Sequence, residues 1–203
     1  LVSQRASFSC SAIVDGLDAS HHSIQVRRVL GMQSDMIGVY PRLTAREQLR
    51  YYGHFYDLKG KALEDRINSL VRELKMEEFA DRRAEGFSRG QRQKIVIGRA
   101  LIHDPHNIIM DEPTNGLDVM AARDARQTIR TFKEQGRCVL FSTHYMDEAE
   151  HLCDHIAIIV QGRIAAFGTP DDLMSRTDKD NLEDAFVVLA GSAEGLLHSE
   201  VKE

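Results

Sequence analysis

The sequence predicts an α/β fold with a mainly parallel sheet core, and three observations carry that expectation. Ile108-Ile109-Met110 is a short, continuous apolar run, the pattern of a strand covered on both faces in the middle of a parallel sheet. Helical periodicity brackets it. Ile95, Val96, Ile97, Ala100, Leu101 and Ile102 make a helix apolar on most sides, hence buried, which Pro105 ends, and residues 121–135 form a second helix stopped by Gly136. Arg137 to Ser142 then reads as another strand, so strands and helices alternate.

The remaining elements follow in order. Residues 1–10 show no period and are expected to be a poorly ordered leader, or an artefact such as a frame error upstream. Residues 11–16 read as a strand ending in a turn, and residues 22–31 as a short helix followed by a strand. Thr44-Ala45-Arg46-Glu47 is a capping box that opens a helix carrying Leu49, Tyr52 and Phe55-Tyr56. Leu63, Ile67, Leu70-Val71 and Leu74 recur at helical spacing and predict an amphipathic helix over residues 62–80. Past the central strands, residues 145–153 read as a helix, and Ile156–Val160, Gln161-Gly162 and Arg163–Phe167 as a hairpin. Thr169-Pro170-Asp171-Asp172 starts a capped helix, residues 181–191 form a closing one, and residues 191–203 are expected to be a frayed tail.

Composition narrows the function classes. Of the 203 residues, 42% are hydrophobic and 28% charged, values of a globular domain. The net charge of −5 gives no reason to expect a nucleic-acid partner. No run of 18 apolar residues exists in the sequence, so a membrane role would come through a partner. Cys10, Cys138 and Cys153 are widely spaced, which argues against a disulfide framework or zinc site and fits a reducing cytosol. Cys138, within an apolar strand, is expected to be buried.

The chemistry concentrates between Gly86 and Asp118. Ser88-Arg89-Gly90-Gln91 is a small polar turn opening a helix, where unpaired N–H groups and the helix dipole suit an anion. Ile108–Met110 ends abruptly in Asp111-Glu112, placing two acids at the carboxyl edge of a sheet, where ligands of α/β proteins bind. One acid suits Mg²⁺ together with phosphate oxygens, and the other can orient a water. The bland alternative for the pair is a helix cap. Asn115-Gly116-Leu117-Asp118 is a turn directly after it, and His144 stands just past the next strand, where the alternative is a surface histidine.

These residues resemble the ATPase subunit of ABC transporters. Ser88 to Gln91 looks like the signature loop, Ile108 to Glu112 like Walker B, Asn115 to Asp118 like the D-loop, and Ser142-Thr143-His144 like the switch histidine. Residues 40–47, 87–90 and 136–142 are similar to the bacterial sodium-efflux type. The resemblance covers roughly residues 11–190, with a helical subdomain at about 36–90 that in the family touches the membrane subunit. It implies ATP and Mg²⁺ as ligands. It assigns Asp111 to the metal, Glu112 to the attacking water and His144 to the γ-phosphate. It assigns nucleotide contacts to Ser88, Arg89, Gly90, Gln91, Asp118 and Asp35, Asp35 standing where the family's Q-loop glutamine is usual. Gln33, two residues earlier, reads equally as part of a polar loop. Arg89 replaces the family's more common glycine, and two readings stay open: added charge against phosphate, or a solvated side chain.

The resemblance further implies a head-to-tail dimer, with itself or another ABC ATPase, and an integral membrane permease as partner. The chain would then sit peripherally on the cytoplasmic face of the cell membrane. A non-transport ABC protein acting on ribosomes or DNA is the alternative, although neither a second cassette nor a long coiled insertion is present. One part of the pattern is missing. The sequence holds no G-x-x-x-x-G-K-[ST] phosphate loop, the Walker A motif, and Gly60-Lys61-Ala62 reads as an ordinary loop before a helix. The fold expected is therefore an incomplete P-loop NTPase-type ABC nucleotide-binding domain, truncated at its N-terminus, with apolar surface left exposed. As an isolated chain it is expected to be inactive, without the hydrolase activity of its family.

Overall fold

A computed structural model describes residues 11–34 and 38–200, with side chains to residue 191. The chain divides between Phe141 and Ser142 into two compact units.

In the first unit, β1 (Ile13–Val14) and β2 (Leu17–Asp18) pair as an antiparallel hairpin. Its turn residues Asp15 and Gly16 both have positive φ, the twist that a two-residue hairpin needs. The helix α1 (Ser23–Val29) runs directly into β3 (Leu30–Gln33). After the loop come α2 (Ala45–His54), capped by the Thr44–Glu47 box, and α3 (Gly60–Glu73). The next elements are α4 (Arg89–Leu101), β4 (Asn107–Asp111), α5 (Val119–Glu134) and β5 (Cys138–Ser142). The sheet order is β3-β4-β5, with β3 and β4 parallel, Gly31 opposite Ile108 and Gln33 opposite Met110.

The apolar helix α4 covers one face of this sheet at very close range. A Cβ on Gly31 would overlap the carbonyl oxygen of Ala100 and stand 2.8 Å from Cγ of Pro105, so glycine permits the approach. On its other side α4 packs against α2 and α3, where Leu49, Leu63, Ile67, Ile95 and Ile102 are fully buried. Each such side chain stabilises the fold by about 1.5–3 kcal/mol. The opposite face of the sheet is open: Met32 is 64% and Leu140 65% exposed.

Three local expectations need correction. Gly60-Lys61-Ala62 is not a loop but the start of α3. That helix stops at Glu73 rather than at residue 80. Lys75 takes a left-handed φ of +52°, its amide donates to the Arg72 carbonyl, and the Met76 amide donates to the Val71 carbonyl at 2.8 Å. This is a Schellman stop with lysine where glycine is usual, and the buried Met76, Phe79 and Ala80 beyond it continue the apolar pattern without the helix. Cys138 is exposed, because alternate side chains of β5, at the flank of the sheet, point to its open face.

The second unit contains α6 (Met146–Leu152), β6 (Ile156–Val160), β7 (Arg163–Gly168), α7 (Pro170–Thr177) and α8 (Leu182–Glu200). β6 and β7 form the expected hairpin through Gln161-Gly162. Thr169 caps α7 with Asp172 completing the box. Ala149, Ile158, Ala166, Leu173 and Leu182 make this unit's core. Among the described residues no helix is long and apolar enough to cross a membrane.

Candidate functional site

β4 delivers Asp111 as its last residue, exposed at the carboxyl edge of the sheet. Glu112 follows, half-buried, with φ +46°. A non-glycine residue in the left-handed region costs about 1–2 kcal/mol, so the surroundings must over-determine it. They do so through two turns: the Asn115 amide donates to the Glu112 carbonyl at 3.1 Å and the Leu117 amide to the Thr114 carbonyl at 3.2 Å. Pro113 and Thr114 are buried beneath.

Two buried glutamines brace this edge from neighbouring elements. Gln33, at the end of β3 and fully buried, donates Nε2 to the Asp111 carbonyl at 3.3 Å. The polar-loop reading of Gln33 is thereby replaced by a strand residue facing inward. Gln93 of α4 donates Nε2 to the Pro113 carbonyl at 3.2 Å. Neither was picked out as a site residue from the sequence. For Gln93 a signal existed: a long polar side chain inside a helix apolar on nearly every side needs a buried partner.

Ser88 is the N-cap of α4. Its hydroxyl accepts from the Gln91 amide at 3.2 Å, and the Ser88 amide donates back to the Gln91 side chain at 3.1 Å. Phe87, buried just before it, meets Phe79 edge-on at 5.2 Å and sets the entry angle of the chain. The turn lies against the start of α5. A Cβ on Gly90 would stand 2.8 Å from the Ala121 Cβ, and one on Gly116 2.5 Å from the Arg89 Nη1. One turn further along, Lys94 donates to Asp124 at 3.0 Å, and that hydrogen bond holds the Asp124 carboxyl below its ordinary range. Between the two helices lies a cavity of about 220 Å³ lined by Ser88, Gly90, Gln91, Leu117, Asp118 and Ala121, among others.

The first unit therefore brings together Ser88, Arg89, Gly90, Gln91 and Asp118, and it presents Asp111 and Glu112 on the adjoining strand edge. Asp118 is occupied as the N-cap of α5, accepting from the Met120 and Ala121 amides at 3.0 and 2.9 Å. His144 lies in the second unit, exposed, with its ring 4.1 Å from that of Tyr145. Nearby, the Tyr145 amide donates to the Thr143 hydroxyl at 3.1 Å. Asp35 lies outside the described residues.

The donor set at the strand edge is two carboxylates, hard oxygen ligands that suit Mg²⁺ sharing its shell with phosphate. An exposed Asp111 fits that requirement. These 203 residues contain no phosphate-loop motif, and the polar turn at the N-terminus of α4 is an element of the first unit that suits an anion.

Comparison with known proteins identifies the family. The family model described as ABC transporter matches residues 6–115. The chain is 37% identical over 175 residues to the ABC transporter ATP-binding protein NatA of Bacillus subtilis (strain 168), covering 86% of this chain and 71% of NatA. It is 36% identical over 169 residues to the linearmycin resistance ATP-binding protein LnrL of the same organism, covering 83% of this chain and 54% of that one. With the probable multidrug ABC transporter ATP-binding protein YbhF of Escherichia coli (strain K12) it shares 32% over 186 residues, 89% of this chain and 32% of YbhF. The chain thus spans about half of LnrL and a third of YbhF. A solved structure described as that of an ATP binding subunit of an ABC transporter superposes with a TM-score of 0.76 at 30% identity, covering 87% of this chain and 75% of that one.

Proposed function

This chain belongs to the ABC transporter family as an ATP-binding domain, and we propose that it serves an efflux transporter by hydrolysing ATP between two copies arranged head to tail. The observation that carries the reading is the Asp111–Glu112 edge, projected from β4 and braced from β3 and α4 by Gln33 and Gln93. Asp111 holds Mg²⁺, which when bound neutralises charge on the phosphates. Glu112 orients the attacking water, and His144 contacts the γ-phosphate. Ser88, Gly90 and Gln91 face the nucleotide held by the other copy, with Arg89 and Asp118 beside them, and Asp35 is a further nucleotide contact.

The partner is an integral membrane permease. Tyr40, Tyr51 and Phe55 form an exposed edge-to-face ladder, with ring centroids 6.1 and 5.0 Å apart, and this is the surface that meets it. The site of action is the cytoplasmic face of the membrane. Sodium is the cargo favoured by the motif resemblance, whereas the names of LnrL and YbhF favour an antibiotic or drug. Vesicles carrying the complex, assayed with labelled sodium and with a panel of drugs, separate the two.

By themselves these 203 residues bind ATP weakly, because the sequence supplies no backbone cradle or lysine for the β- and γ-phosphates. A nucleotide titration of the isolated chain checks this, and tight Mg²⁺-dependent binding would refute it. In a chain to which a phosphate loop has been restored, assembled with the permease, Glu112→Gln is expected to abolish hydrolysis while ATP still binds. Undiminished turnover would remove Glu112 from the mechanism.

A further inference from the structure

We infer that Arg89 latches the Ser88–Gly90 turn to the Asn115–Asp118 turn within one chain, as a positioning residue for both. The first observation is the seat of its guanidinium. A Cβ built on Gly116 would stand 2.5 Å from Nη1, 2.8 Å from Cζ and 3.2 Å from Nε, so the fork rests where any side chain would have been. Gly116 also has φ +65°, a second reason for glycine there.

The second observation is reciprocal. Gly90 leaves room for the Cβ of Ala121, 2.8 Å from where its own would stand. Each turn thus offers a glycine to a side chain of the other. Behind this contact Gln93–Pro113 and Lys94–Asp124 fasten the same two segments one turn further on. A planar fork lying against backbone suits arginine and not lysine, whose ammonium is a compact, strongly hydrated point charge.

The consequence rests on the proposed head-to-tail dimer. There, the Ser88 turn serves one nucleotide site and the Asp111–Glu112 edge the other. A latch between them makes one rigid piece of two half-sites, so nucleotide at one site biases the geometry of its twin. Arg89 then answers to neither reading in its simple form, since the residue is exposed while its guanidinium lies against its own chain at Gly116.

Millisecond hydrogen exchange on the isolated chain, without nucleotide, tests the latch. The reporters are the amides of Asn115 and Leu117, which are hydrogen-bonded within the turn, with Ile158 in the β6–β7 hairpin of the second unit as the control. Arg89→Ala is expected to speed exchange at the two reporters by about tenfold and to leave Ile158 unchanged. Gly116→Ala should speed it at least as much, since left-handed strain at φ +65° adds to the lost contact, and Arg89→Ala should add little on top of it. Arg89→Lys should fail to restore protection. The latch is overturned if Arg89→Ala leaves the reporters within about twofold of the parent, if Arg89→Lys protects them fully, or if the double variant shows the product of the two effects. Should Gly116→Ala not fold, the two variants at the exposed Arg89 decide alone. Since no nucleotide is involved, failure here leaves the ATPase reading standing, and failure of the ATPase reading leaves the latch standing.

Discussion

Gln33 hands its side-chain amide to the main-chain carbonyl of Asp111 across the β3–β4 pair, at 3.3 Å and with no solvent access. The contact joins the end of one parallel strand to the first acid of the candidate site. Gln33→Glu places a carboxylate against that carbonyl in a buried position. The expected cost is roughly 3 kcal/mol at pH 7. The loss should shrink at pH 5, where a buried glutamate takes up its proton and can donate again. Urea unfolding at the two pH values measures it, and an equal loss at both would show that the contact is not what holds the edge.

Glu112 keeps a left-handed backbone that glycine adopts freely. Glu112→Gly is expected to raise stability by about 1 kcal/mol. The same change should abolish hydrolysis in an assembled transporter to which a phosphate loop has been restored. A stabilised, inactive variant in chemical denaturation is the signature of strain retained for function, and a destabilised one would show that the Glu112 side chain outweighs its backbone.

Gly31→Ala should be among the most damaging single-methyl changes in the protein. The new Cβ meets the main-chain oxygen of Ala100, which cannot rotate aside as a side chain would. About 3 kcal/mol or more is expected. By contrast, Gly136→Ala meets nothing within 4 Å, and its cost comes from φ +74° alone. Thermal melts of the pair should rank Gly31→Ala clearly lower.

His103 stacks face to face on Tyr56, ring centroids 3.7 Å apart, with one ring nitrogen 3.3 Å from the Leu30 carbonyl. Burial pushes its imidazole down to about 4. An unfolded histidine takes its proton near pH 6.5, so between roughly 6.5 and 4 the unfolded chain binds more protons than the folded one. This group's contribution is therefore complete above pH 6.5 and declines as the pH falls towards 4. His103→Phe keeps the ring stack and removes the titration. The drop in melting temperature from pH 7.5 to pH 5 is expected to be smaller in the variant than in the parent, and equal drops would mean that His103 does not titrate differently on unfolding.

Much of the fold was legible in advance wherever a local rule is written in the residues that obey it. Thr44 with Glu47 and Thr169 with Asp172 cap their helices as the capping-box pattern requires, and Gln161-Gly162 turns its hairpin. The Schellman stop at Lys75 was not legible, because lysine carries no left-handed preference and the apolar spacing runs on past it. Cys138 misled for a related reason. An apolar run announces a strand but not whether both of its faces are covered.

By itself the sequence determined the family, the polar turn at Ser88, the acids at Asp111 and Glu112, and the alternation of strands with helices, all of them properties of neighbouring residues. Only the tertiary structure decided that Gln33 and Gln93 brace the acid edge and that the Arg89 fork lies on Gly116. Those relations join residues far apart in the chain through a carbonyl or an α-carbon. Backbone atoms are the same at every position and leave no mark in the order of side chains, so their partners become visible only once the chain is folded.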